Sequence, residues 1–247
     1  MIFWQAPPSR PVLRPDQVHL WRVSLLHPPF PSDMLWRVLN EKEQARAGRY
    51  RFERDRRRFV AARGMLRVIL ARYAGVSPAA IRFEYSDYGK PSLPDRPDLA
   101  FNATDSGELM AVGVAQNRLL GVDIEQVRDD FGGLEIAERF FSSAEVATLR
   151  ALPSHEQARA FFRCWTRKEA FIKAIGEGLS YPLHQFDVTL GPDEPPRLLR
   201  VAGEPDAPRR WFLADFPLDP NYEGAIIAEM PVTDISYWSW GGSRPEK

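Results

Sequence analysis

The apolar positions change period along the chain, and each change marks an element. His19 to Leu26 (HLWRVSLL) has strand-like content, although Leu20 and Trp21 interrupt a clean alternation. His27 to Asp33 (HPPFPSD) breaks the chain, and a helical pattern follows. Asn40 and Glu43 form a capping box, an acceptor side chain with a glutamate three residues on. The helix it opens either runs on through RYRFERDRRRF or breaks there. Phe59, Ala62, Leu66, Ile69 and Leu70 then recur at helical spacing, and Gly75 with Ser77-Pro78 closes that helix. Ile81 to Tyr85 alternates as a strand, and Tyr88-Gly89-Lys90-Pro91 reads as a turn. Leu99 to Asn102, Leu109 to Ala115 and Leu119 to Glu125 read as strands.

The pattern then repeats. Ser142 and Glu145 form a second capping box, followed by a helix and a long helix over Gln157 to Ile175 that Gly176 and Gly178 end. Phe186 to Leu190, Trp211 to Phe216 and Ala225 to Met230 have strand composition. The two boxes lie 102 positions apart (142 − 40), and Phe59 and Phe161 share that offset. Capping boxes are common, so coincidence is the alternative to duplication. The expectation is an α+β fold of two similar halves, residues 1–117 and 118–240. Residues 1–17 are expected to be irregular and 241–247 a loose tail.

Composition narrows the class. Hydrophobic residues make up 44% and charged residues 27%, as in ordinary globular proteins. Lysine and arginine balance the acids, 33 against 33, so no global field for nucleic acid exists. One cysteine, Cys164, excludes a disulfide framework. With no signal peptide and no apolar run of membrane-spanning length, a cytoplasmic protein is expected. The four histidines lack zinc spacing, and no phosphate-binding glycine loop is present.

Two fragments carry chemistry. In Gly121-Val122-Asp123-Ile124-Glu125, read as a strand, Asp123 and Glu125 share a face with Cα atoms about 6.5 Å apart. Paired carboxylates repel unless a cation lies between them. A hard ion with oxygen ligands, Mg²⁺ above all, suits such a pair. On the second long helix, Glu169 and Lys173 are at i and i+4 and share a face. Phe161, Phe162, Trp165 and Ile172 form the side that anchors the helix. Each fragment alone is most simply a solvated face.

Together they are more specific. Trp165, Lys168, Glu169, Ala170, Lys173, Gly176, Gly178 and Leu179, about forty residues after GVDIE, resemble the signature of the 4′-phosphopantetheinyl transferases, of the surfactin-synthetase-activating type. Tyr88-Gly89-Lys90-Pro91, Phe101-Asn102 with Ser106-Gly107, and Arg139-Phe140-Phe141-Ser142 fit the same family in the same order.

The resemblance implies two α+β halves in one chain, related by a pseudo-twofold, with the active site in the cleft between them. It implies transfer of the phosphopantetheine arm of coenzyme A to a serine of an apo carrier protein, releasing 3′,5′-ADP. It gives Asp123, Glu125 and Glu169 as Mg²⁺ ligands, with Glu169 also the candidate base and Lys173 steadying phosphate. Lys90 and Pro91 would meet the nucleotide end, and Lys168 would be a second cation near the site. The family usually has histidine where this chain has Asp105. An ionised Asp105 repels phosphate, so Thr104, Ser106 or backbone N–H groups would serve instead.

Glu41 to Gly75 carries ten arginines and one lysine against four acids. Arg46, Arg49 and Arg63 are candidates for the coenzyme A 3′-phosphate, and the others for attracting an acidic carrier. An internal repeat fits a monomer. A non-catalytic protein that binds coenzyme A or carrier domains is the competing reading, and the acidic set with Lys173 argues against it.

Overall fold

A computed structural model describes residues 3–128 and 133–240. The expected tail at 241–247 lies outside the described residues.

The first half runs β1 (Gln17–Ser24), α1 (Ser32–Arg37), α2 (Glu41–Ala47), α3 (Glu53–Ala74), β2 (Glu84–Tyr85), β3 (Pro91–Ser92), β4 (Leu99–Ser106) and β5 (Leu109–Gln116). The second runs β6 (Leu120–Gln126), α4 (Gly133–Phe140), α5 (Ser143–Ala151), α6 (Ser154–Ile175), β7 (Phe186–Val188), β8 (Leu198–Val201), α7 (Ala207–Arg210), β9 (Trp211–Asp215) and β10 (Tyr222–Glu229). A last strand, β11 (Asp234–Ser239), returns to pair parallel with β1. Sequence patterning misses α4 and β11 and shortens β4. The strand expected over Ile81 to Tyr85 is reduced to its last two residues.

The repeat is present in the topology. One sheet has the order β11-β1-β5-β4, the other β6-β10-β9. Strands β1, β5 and β4 thus match β6, β10 and β9, with every pairing inside each set antiparallel. The β2–β3 and β7–β8 hairpins occupy equivalent places. Helices α3 and α6 are both 22 residues long. Each ends on a left-handed glycine, Gly75 (φ 70°) and Gly176 (φ 86°), a conformation that side chains with a Cβ resist.

Both capping boxes form, Asn40 with Glu43 and Ser142 with Glu145. The first helix stops at Gly48 rather than running on. Each box glutamate also takes a buried cation from the long helix. Arg67 Nε lies 2.7 Å from Glu43, and Lys168 Nζ lies 2.8 Å from Glu145. Both cations are fully buried and reach a carbonyl just beyond their helix, Ile81 for Arg67 and Leu183 for Lys168. Buried ion pairs of this kind lock one packing, because removing either partner strands a buried charge.

Trp21 and Val23 of β1 face the α3 side, whereas Val18 and Leu20 face an apolar layer shared with Val122, Ile124 and Ile226 of the second half. Strand edges β4 and β6 meet there, and Asn102 Oδ1 accepts the Val122 N–H at 2.8 Å. On the far side, Phe161 stacks between Phe141 and Trp165, with ring centroids 5.2 and 5.9 Å apart, and anchors α6. Cys164 is part of this core, fully buried. Among the described residues no helix is long and apolar enough to cross a membrane.

Candidate active site

Gly121 explains how α6 approaches the strand. A Cβ there would lie 1.9 Å from the Ala170 carbonyl oxygen and 2.6 Å from the Ala174 nitrogen. Only a glycine opposite two alanines allows this backbone-to-backbone contact. The contact brings the Glu169–Lys173 face of α6 onto the Asp123–Glu125 face of β6.

That face is not the exposed strand that a lone D-x-E suggests. Asp123 is buried. Its Oδ1 accepts Lys173 Nζ at 2.5 Å and Thr104 Oγ1 at 3.0 Å. Lys173 also donates to Thr104 Oγ1 at 3.2 Å. Ser106 Oγ donates to Glu125 Oε2 at 2.8 Å. The site is therefore built across the halves, with hydroxyls from β4 holding carboxylates of β6. Asp123 Oδ2 is buried with no hydrogen-bond partner.

The electrostatics follow from crowding. Burial, reinforced by Asp123 and Glu125 and opposed by Lys173, raises the Glu169 carboxyl to about 7. Glu125 is also raised, by burial and then by Asp123. Burial works against the charge of Lys173, but Asp123, Glu169 and Glu125 outweigh it and its pKa stands above the ordinary lysine value. The cluster holds a lysine cation firmly and resists a full set of negative charges.

A cavity of about 420 Å³ adjoins this cluster at Thr104. Arg46, Arg58, Arg63, Pro91 and Asp105 also line it. Arg46 stacks on Phe59, and Arg63 on Phe83 while it pairs with Glu43. Arg58, one of the arginines expected to attract an acidic carrier, reaches Asp105 at 3.6 Å. The arginine-rich run was its signal, but its direction depends on the packing of α3 against β4.

The structure places several of the expected site residues in contacts within the protein. Lys168 is buried against Glu145 and the Leu183 and Phe186 carbonyls, so it braces the fold and is closed to a ligand. Lys90 Nζ donates to the Ala174 carbonyl at 2.6 Å and leans on the last turn of α6. Burial lowers its pKa to about 8. It ties the YGKP turn to the end of α6. Arg49 is exposed and does not line the cavity. Thr104 and Ser106 donate their hydroxyl protons to Asp123 and Glu125. Among the described residues no three His, Cys, Asp or Glu side chains converge as a ready metal-ligand set. At Asp123 Oδ1 the cation is Lys173.

Comparison with known proteins agrees with this architecture. The 4′-phosphopantetheinyl transferase superfamily profile matches residues 119–227, and the 4′-phosphopantetheinyl transferase N-terminal profile matches residues 29–117. The chain is 38% identical over 226 residues to the 4′-phosphopantetheinyl transferase HetI of a Nostoc species, covering 90% of this chain and 92% of that protein. It is 33% identical over 205 residues to the 4′-phosphopantetheinyl transferase Sfp of Bacillus subtilis, covering 81% and 88%. With two matched α+β halves and an acidic cluster at their junction, the chain belongs to the 4′-phosphopantetheinyl transferase superfamily, as a transferase of the Sfp type.

Proposed function

We propose that this transferase moves the 4′-phosphopantetheine arm of coenzyme A onto a serine hydroxyl of an apo carrier protein and releases 3′,5′-ADP. The observation that carries the mechanism is the placement of Glu169 on α6 beside Asp123, Glu125 and Lys173; in the metal-free site burial and the two acids raise its carboxyl to about 7, and metal ligation competes with its duty as a base. A base matched to neutral pH accepts a hydroxyl proton most effectively.

Oxygen donors suit Mg²⁺, and one buried Asp123 oxygen lacks a partner; the three carboxylates form a ligand set only by drawing together on the ion. Asp123, Glu125 and Glu169 would hold the ion. When bound, it supplies charge neutralisation on the pyrophosphate. The chain's own groups do the rest. Glu169 takes the serine proton, directly or through water. The serine oxygen bonds to the β-phosphorus as the bond to the leaving 3′,5′-ADP breaks. Lys173 offsets charge on phosphate oxygens. Thr104 and Ser106 fix the two β6 carboxylates, so little reorganisation is left for the reaction.

The arginines beside the cavity suit the phosphates of coenzyme A and an acidic carrier domain of fatty-acid, polyketide or peptide synthesis. Both walls of the site come from one chain, which supports action as a monomer. The test is incubation with coenzyme A, Mg²⁺ and an apo carrier, followed by mass measurement of the carrier. A carrier heavier by the phosphopantetheine arm, only when Mg²⁺ is present, is expected. No mass gain across several carriers overturns the reading.

A further inference from the structure

A fourth carboxylate lies against the acidic site and takes no part in the proposed mechanism. In the antiparallel register of β6 and β10, Glu223 stands directly opposite Glu125. Directly opposed residues share a face, with Cβ atoms about 5 Å apart, and like charges there destabilise each other. The Glu223 side chain is only 11% exposed. Two cations of α6 meet it. Arg159 Nη1 donates to its Oε1 at 2.7 Å, and Arg163 Nε lies 3.7 Å from its Oε2. Arg159 also donates to the Pro220 carbonyl and Arg163 to the Leu190 carbonyl, so each guanidinium is held from two sides.

The same face of the sheet meets α6 twice more. Arg167 binds Asp215 through two nitrogens, and Lys173 binds Asp123. Four cations of one helix thus meet three acids, on β10, β9 and β6. Glu125 takes its hydrogen bond from Ser106 of β4 instead. Without the Glu223 charge, the carboxylate directly across the strand pair from the two arginines is Glu125. A guanidinium that turns to it competes with a metal ion for its oxygens.

From this placement, and resting on the proposed function, we infer that Glu223 is a positioning residue of the acidic site: it holds Arg159 and Arg163 and so leaves Glu125 to Mg²⁺. This differs from a plain tie between sheet and helix. A tie is lost with either partner, whereas a guard against a cation is needed only while that cation is present.

The test is calorimetric titration of Mg²⁺ into the protein saturated with coenzyme A, with no carrier present, for the wild type, Glu223→Gln, Arg163→Met and the double variant. Glu223→Gln should bind Mg²⁺ about tenfold more weakly and Arg163→Met about threefold more tightly, because a nearby unit charge acts strongly on a divalent ion. The double variant, with the charges balanced again, should return to within about threefold of the wild type. Unchanged affinity in Glu223→Gln, unchanged or weaker binding by Arg163→Met, or a double variant at least as weak as Glu223→Gln overturns the inference and leaves the transferase reading intact. Arg163→Met carries its own expected direction, so the inference is refutable even where Glu223→Gln does not fold. A wild type that binds no Mg²⁺ in the presence of coenzyme A sinks the metal reading and this inference together.

Discussion

The two halves share a scaffold and differ in what fills it. Residues 102 positions apart on β1 and β6 occupy matching faces. Leu20 and Val122 both enter the shared apolar layer. Trp21 and Val23 are buried against the α3 side, and their counterparts are Asp123 and Glu125. The long helices are offset by 101 residues rather than 102, so Phe161 matches Val60 and not Phe59, Val68 corresponds to Glu169 and Arg72 to Lys173. Arg72 donates to the Pro8 carbonyl and lies over Trp240. The bracing pairs survive in both halves, Glu43 with Arg67 and Glu145 with Lys168. What the fold needs is present twice, whereas the clustered acids occur once, and Trp21, Val23 and Val68 stand in the matching places.

The spacing of helix and strand differs for the same reason. Gly121 corresponds to His19, whose ring meets Tyr73 Oη at 2.8 Å while Trp21 Nε1 donates to the same oxygen. Aromatic side chains thus stand between β1 and α3. In the second half the backbones touch, which places short carboxylates within reach of a helical lysine.

The largest way to break this contrast is Gly121→Ala. Its Cβ meets backbone rather than a movable side chain, so α6 must shift. A loss of about 3 kcal/mol is expected in urea unfolding, at the upper end of overpacking costs. A loss below about 1 kcal/mol would show that close approach is not required.

A somewhat smaller effect should come from His19. Burial pushes its pKa down to about 4 from 6.5, so the unfolded chain binds more protons between these values. Its contribution is whole above pH 6.5 and is eroded as pH falls toward 4, by about 2–3 kcal/mol. Urea midpoints of the wild type and His19→Asn, compared at pH 7 and pH 4, should show the steeper acid loss in the wild type. Equal slopes would place His19 outside the packed aromatic layer.

Local features were the legible ones. Capping boxes, glycine stops and the alternation of GVDIE depend on neighbours a few residues away, and all three are present in the structure. The signature helix was legible too, but not the duty of each residue on it. Lys168 pairs with Glu145, Lys90 with the Ala174 carbonyl and Arg58 with Asp105, and each partner lies too far along the chain for periodicity to register. Strand β11 escaped notice because its partner β1 lies at the opposite end of the sequence. The acidic site was legible as a face and not as a network. Thr104 and Ser106 come from the other half, and their bonds to Asp123 and Glu125 depend on how the halves pack.

The most direct test of the central claim uses Glu169→Gln, compared with the wild type for carrier modification by mass and for unfolding without metal at pH 8. Burial and the neighbouring acids raise the folded carboxyl from 4.5 to about 7, so stability falls as pH rises through that window. Glutamine should abolish transfer and leave the metal-free protein more stable, by about 2–3 kcal/mol, because it removes a crowded negative charge. Transfer at the wild-type rate, or a destabilised variant, would contradict the account.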